Sequence, residues 1–325
     1  MYNRTRLLFL LLVLLWACGP QQTVQQPPAP SPVKVIAPSF NADSAYEYIR
    51  QQVAFGPRVP NSKEHVACAQ YLFDKLKAST PNVVEQKGVV TTYDDVRLNI
   101  RNYIASFNPD KKNRVLLFAH WDTRPWADQD SDREREPIDG ADDGASGVGV
   151  LLEIARQLSA KAPAIGVDIA FFDAEDWGAK GGGPESEDSY ALGTQYWTRQ
   201  PHIANYTANY GILLDMVGAR NAQFRLEGFS SEQALYVVDK IWKSAAALGY
   251  SNYFLLEQGG YVTDDHVYVI RYGIPSIDII NSDKTTRSGF APHWHTHQDS
   301  LSIIDPLTLK AVGQTLLEVI YNEGH

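Results

Sequence analysis

Short, dense apolar runs alternate along this chain with segments in which apolar residues recur every three or four positions. Residues 114–119, 167–172 and 210–214 are runs of the first kind, rich in branched and aromatic side chains, and they predict buried strands. A further strand is expected within residues 272–280, and the alternation across residues 89–104 predicts a pair of strands leading into a turn at Asn108-Pro109-Asp110. Helical spacing marks Ala45, Tyr46, Ile49 and Val53 behind the polar cluster that begins at Asn41. It returns in residues 65–76, 148–158, 189–198, 231–248 and 306–321. Strands and helices that alternate in this way predict an α/β fold: a single globular domain, residues 41–325, with a central mixed, mostly parallel sheet flanked by helices.

Composition narrows the picture. With 325 residues, 44% of them hydrophobic, the chain can bury a large core. A net charge of −9 argues against a nucleic-acid partner. The amino-terminal residues read differently from the rest. Arg4 and Arg6 precede an apolar stretch over residues 7–16, the pattern of an export signal covering residues 1–17, and Leu15-Trp16-Ala17-Cys18 resembles a bacterial lipobox. The expectation is a lipid on Cys18, a proline- and glutamine-rich linker over residues 18–40, and a monomeric, periplasm-facing domain that meets the membrane only through its anchor. Cys68 then has no disulfide partner and is expected to be buried.

The predicted strands end in chemistry. The run 167–172 stops in Asp173-Ala174-Glu175-Asp176-Trp177, the run 114–119 in His120-Trp121-Asp122, and the run 210–214 in Asp215. Asp142-Asp143 stand just ahead of the helix at 148–158, and His293-Trp294-His295-Thr296-His297 forms a fifth group. Ligands of open α/β sheets sit beyond the carboxyl ends of the strands. Each group alone reads as a hydrogen-bonded structural residue. Together they offer the mixed nitrogen and oxygen donors that suit zinc. His65 and His202 lie outside these groups, His293 and His297 read as surface or supporting residues, and the acidic segment 128–136 reads as a solvated face that could favour cationic peptide N-termini.

His120-Trp121-Asp122, Gly140-Ala141-Asp142-Asp143 with Ser146-Gly147, Phe172-Asp173-Ala174-Glu175-Asp176, Leu214-Asp215, Asp264-Asp265-His266 and Trp294-His295-Thr296 together resemble the motifs of the zinc aminopeptidase (M28-like) superfamily and its relatives, the animal-type glutaminyl cyclases. The resemblance implies the zinc aminopeptidase-like fold, with Asp143, Asp176 and His295 as zinc ligands and Glu175 as general acid/base. In the aminopeptidases the positions of His120 and Asp215 hold a second zinc, with Asp143 bridging. In the cyclases one zinc remains and the acid at Asp215 joins a hydrogen-bond relay. Asp122 is placed to orient His120 in either case.

Trp294 ahead of the ligand histidine, the acid pair before His266, and Phe290 at the spacing of a pocket aromatic are similar to the cyclases. Trp177 would add a further wall, although the cyclases' own tryptophan lies a few residues later, and Asp176 stands where they carry glutamate. The implied activity is conversion of N-terminal glutamine of peptides or proteins to pyroglutamate with release of ammonia, with Glu175, Asp215 and Asp264 handling the amine and its protons and one zinc bound. The alternative is an aminopeptidase with two. A binding protein that had lost the chemistry would lack Glu175 or a ligand, and all are present.

Overall fold

The computed structural model describes residues 35–181, 186 and 188–323. The expected signal peptide, Cys18 and most of the linker therefore lie outside the described residues, as do part of the glycine-rich stretch 178–187 and His325. Residues 34–325 form one compact unit. It starts earlier than expected from the linker composition. Phe40 is buried, and the backbone N–H groups of Val35 and Phe40 donate to Asn322 and Gln314 of the last helix. Among the described residues no helix is long and apolar enough to cross a membrane.

Six strands build the main sheet: β1 (Val83–Thr91), β2 (Arg97–Phe107), β3 (Arg114–His120), β4 (Gly166–Phe172), β5 (Gly211–Asp215) and, late in the chain, β8 (Ser276–Ile280). Their spatial order is β1-β2-β4-β3-β5-β8. The pairs β4/β3, β3/β5 and β5/β8 are parallel, whereas β1/β2 and β2/β4 are antiparallel. The hairpin expected over 89–104 is thus longer than its alternation suggested, beginning at Val83 and ending at Phe107. A small parallel pair, β6 (Phe224–Leu226) with β7 (Phe254–Gln258), lies outside this sheet.

Continuous apolar runs make sense because the sheet is covered on both faces. Val115, Leu117 and Ala119 of β3 point into one core, and Leu116 and Phe118 into another. The larger core is filled by α1 (Ala42–Val53), α2 (Lys63–Ser79), α3 (Ala145–Ala160), a helix at Leu235–Ala247 and the carboxy-terminal helix Pro306–Asn322. The smaller core takes Trp197 from α4 (Leu192–Arg199) and Val269 from a helix at Asp265–Tyr272. One acid interrupts β4, Asp168. It is fully buried and satisfied by the Arg114 guanidinium at 3.0 Å and the Tyr206 hydroxyl, which donates at 2.6 Å. Cys68 is buried in the larger core, and that burial pushes its thiol up to about 12.

The single long helix expected over 231–248 is two. α5 (Gly228–Gln233) ends at Ala234, whose φ of −143° breaks the helix before α6 (Leu235–Ala247) begins. The Glu227 carboxylate fixes the first piece by accepting from the N–H groups of Phe229 and Ser230, and the Ser230 hydroxyl accepts from Asp278 of β8. Apolar periodicity alone could not locate such a break. Two later α-helices are α7 (Asp265–Tyr272) and α8 (Pro306–Asn322).

One close approach sets the helix that presents the site. Gly147, in the first turn of α3, lies so near β5 that a Cβ there would sit 2.2 Å from the Leu214 carbonyl oxygen and 2.9 Å from the Ala119 side chain. Gly147→Ala is therefore expected to destabilise the fold by about 1–3 kcal/mol, overpacking outweighing the gain in helix propensity. Urea unfolding reads this as a lower midpoint at unchanged slope.

Candidate metal centre and active site

The site lies where the parallel strands end. His120 closes β3, Asp215 closes β5, and Asp173, Glu175 and Asp176 follow the end of β4. The segment after β4 sorts its acids by turning sharply. Ala174 adopts φ 52°, a left-handed conformation costing roughly 1–2 kcal/mol for a residue with a Cβ. Asp173 is turned away from the site: both its oxygens lie 2.9 Å from His65 Nε2, and it accepts from the Arg101 N–H at 2.7 Å. His65 in turn stacks on Trp121, so its role is structural. Glu175 and Asp176 are directed into the cavity.

Two acid–imidazole groups meet there. Ligand atoms of Asp143, Asp176 and His295 all lie within 4.8 Å of one another, and so do those of His120, Asp143 and Asp215. His295 Nε2 is 3.2 Å from Asp176 and 3.7 Å from Asp143, while His120 Nε2 is 3.1 Å from Asp143 and 3.2 Å from Asp215. Asp143 belongs to both groups. Every one of these residues is buried.

Supporting carboxylates hold them from behind. Asp122 accepts from the backbone N–H groups of Glu175 and Asp176 at 3.0 and 3.2 Å, so it orients the acid pair itself, while its distance to His120 Nδ1 is 3.5 Å. Asp299 does the same for Asp142 and Asp143, at 2.7 and 3.0 Å. Asp142 is consumed by the Gly218 and Ala219 N–H groups and by His293 at 2.9 Å, leaving Asp143 as the member of that pair that faces the site. Asp128 lies 3.1 Å from His295 Nδ1 and is gripped bidentately by the buried Arg124, which also reaches Asp176. Part of the acidic segment 128–136 is therefore interior scaffolding and not a solvated face. Asp130 beside it is taken by His297 at 2.7 Å.

The charge balance is tense. Burial, together with the neighbouring Asp176, pushes Asp143 up to about 6. Burial would likewise raise Asp176, but His295 and Arg124 outweigh it and hold that acid below its ordinary value. Burial opposes the charge on His120 as well, yet Asp122, Asp143 and Asp215 raise it well above the usual histidine range. Glu175 is held well above the ordinary glutamate value by burial and then by Asp264, and Asp264 is raised by burial and then by Asp215. Asp176 Oδ2 is buried without a hydrogen-bond partner. An orphaned carboxylate oxygen beside converging acids and imidazoles fits a divalent metal held by Asp143, Asp176 and His295.

The cavity above them has a volume of about 810 Å³. Phe290 and Trp294 form one wall, their ring centroids 4.6 Å apart, and Trp294 stacks on His295 at 3.8 Å. Glu175, Asp215 and Asp264 all line it. Trp177 is not among the described residues that do. Its indole N–H donates to Asp94 and its ring packs edge-on against Trp126, beside the small cluster of Val90, Leu98 and Ile100. Tyr190, Met216, Tyr261 and Ile280 line the cavity without having been signalled by any motif.

Residues 102–320 match Peptidase family M28, and the chain belongs to that family. The crystal structure of a Zn-dependent exopeptidase from Parabacteroides distasonis superposes with a TM-score of 0.86 at 55% identity, covering 89% of this chain and 100% of that one. Tannerella forsythia glutaminyl cyclase superposes at 0.85, also at 55% identity, over 88% of this chain and 100% of that one. Among curated relatives, the glutaminyl-peptide cyclotransferase of Bothrops jararaca is 24% identical over 286 residues, 80% of this chain and 75% of the relative.

Because Asp128 supports His295 from behind, Asp128→Asn is expected to weaken divalent-metal binding by about 10- to 100-fold. Competition against a chelating dye measures this. An unchanged affinity would show that stacking by Trp294 suffices to fix the histidine.

Proposed function

We propose that this protein is a zinc-dependent glutaminyl-peptide cyclotransferase that converts N-terminal glutamine to pyroglutamate and releases ammonia. The observation that carries this reading is a buried carboxyl, Glu175, with its proton affinity raised, in a cavity walled by Phe290 and Trp294 beside the Asp143–Asp176–His295 group. The likeness to the Tannerella cyclase over nearly the whole domain supports it.

In this reading the glutamine α-amine attacks its own side-chain carbonyl carbon, forming the ring C–N bond and breaking the bond to the amide nitrogen. Zinc, when bound by Asp143, Asp176 and His295, supplies Lewis acidity that polarises the carbonyl. Glu175 takes a proton from the amine and returns it to the departing nitrogen, which leaves as ammonia. Asp264 and Asp215, beside it, hold the amine close to that carboxylate. Phe290 and Trp294 pack the folded glutamine side chain, making the attack intramolecular in geometry as well as in connectivity. His120, whose proton affinity its acid neighbours raise against the effect of burial, lies between Asp143 and Asp215.

The second reading is an aminopeptidase in which Glu175 deprotonates a water that attacks the peptide carbonyl. The group His120, Asp143 and Asp215 favours it, since those residues have the donors for a second zinc. We further propose, from the lipobox at Leu15–Cys18, that the protein is an exported monomer tethered through Cys18 and facing the periplasm. In that case Cys18→Ser moves it from the membrane to the soluble fraction of a bacterial host, and persistence in the membrane fraction counts against the anchor.

Purified protein incubated with a glutaminyl peptide and a leucyl peptide separates the two activities. Ammonia without free amino acid supports the cyclase, and free leucine alone overturns it. Glu175→Gln should lower turnover by at least about 100-fold while zinc stays bound. Glu175 must be deprotonated to act, and its proton affinity is raised, so kcat/KM should fall as pH drops through a value well above the ordinary glutamate range. An acid limb near pH 4 would contradict that assignment.

A further inference from the structure

Among the described residues, the charged side chains on the cavity's floor and on its exposed lining differ in sign. Its floor holds five buried carboxyl groups, those of Asp143, Glu175, Asp176, Asp215 and Asp264. The exposed residues lining it include two cations, Lys180 and Arg287, and no acid among the described residues. The Lys180 ammonium donates to the Asp128 backbone carbonyl at 2.9 Å, which anchors it without neutralising its charge. Arg287 has no carboxylate partner among the described residues.

Several acids described near this rim have partners of their own. Asp128 is held by Arg124 and His295, and Asp130 by His297. Asp283, on the same loop as Arg287, accepts from the backbone and hydroxyl of Thr285, and Lys284 pairs with Glu257. Among the described residues, the exposed charged side chains that line the mouth are thus both cations, Lys180 and Arg287.

A peptide whose amino terminus reaches the acids at the floor must run outward, each extended residue advancing roughly 3.3–3.6 Å. Its second and third residues then pass Lys180 and Arg287. We infer that these two side chains select peptides bearing a carboxylate just beyond the N-terminal residue, an inference that rests on the cyclase reading for the identity of that first residue. The guanidinium fork matches a carboxylate bidentately, and the ammonium adds a point charge. The carboxylate can be an acidic side chain at the second or third position or the free carboxy terminus of a very short peptide.

The test compares Gln-Glu-Ala-amide, Gln-Ala-Ala-amide, Gln-Lys-Ala-amide and Gln-Ala-Ala with a free carboxylate on the zinc-loaded protein. The carboxylate-bearing peptides should exceed the neutral amide by about three- to tenfold in kcat/KM, the lysyl peptide should fall below it, and the difference should reside in KM and shrink as salt is raised. A gain confined to Gln-Glu-Ala-amide identifies the side chain as the source, and a gain confined to the free acid identifies the carboxy terminus. In the double variant Lys180→Glu/Arg287→Glu the order should reverse. Equal values across the series, or an order that survives charge reversal, overturns the inference. The same series headed by leucine separates this from the cyclase reading: a charge order among leucyl peptides, with no ammonia from glutaminyl ones, keeps the carboxylate preference and removes the cyclase.

Discussion

Two buried carboxylates, Asp122 and Asp299, hold the site together by gripping backbone. Each accepts from two consecutive N–H groups, Glu175 and Asp176 in one case, Asp142 and Asp143 in the other. A tight turn leaves such N–H groups without a ladder partner, and in a water-poor interior they must be paired. Pairing both donors of a turn with one rigid carboxylate fixes the peptide plane, and with it the direction of the adjacent side chains. Two neighbouring acids can then do different work, Asp176 toward His295 and Glu175 toward the cavity.

The arrangement concentrates negative charge where water cannot screen it. Arg124, His120 and His295 partly offset it from inside, and the acids that remain uncompensated respond by rising in proton affinity, Asp143 to about 6 and Asp299 to about 7. Backbone strain collects in the same place. Ala174, Met216 and His295 all adopt positive φ, and each lies beside a site acid or offers a donor itself. Such conformations persist only where the surroundings over-determine them, here through the carboxylate grips, the Arg58 guanidinium on the Asp139 and Gly140 carbonyls, and close helix packing at Gly147.

Position in the sheet explains why these elements converge. The chain leaves β3 for β4 on one side and returns to β5 on the other, so the loops after β3, β4 and β5 open around a common point. Aromatic rings from the His295 loop close that space, with Trp294 fixing the imidazole by stacking and Phe290 backing Trp294. Among the described residues, the exposed charged side chains lining the opening are the cations Lys180 and Arg287, above a floor of buried carboxyl groups.

Much of this was legible in sequence because periodicity and strand-end chemistry are local. Runs of apolar residues located β3, β4 and β5, and the polar residues that stop each run located His120, Glu175, Asp176 and Asp215, since a buried strand can carry such groups only where it emerges. Tertiary structure alone decided the rest. The short helix before the break at Ala234 is fixed by distant backbone, with Val262 N–H donating to Glu227 and Asp278 N–H to Ser230. The inward turn of Asp128 needs Arg124 and His295, which are far apart in the chain. Trp177, adjacent to the acid pair, faces Trp126 and Asp94, because a sharp turn sends neighbouring side chains in different directions. Sequence determined which residues stand at the strand ends; only the folded chain decided which of them face one another, because orientation at a turn is set by partners that sequence spacing does not record.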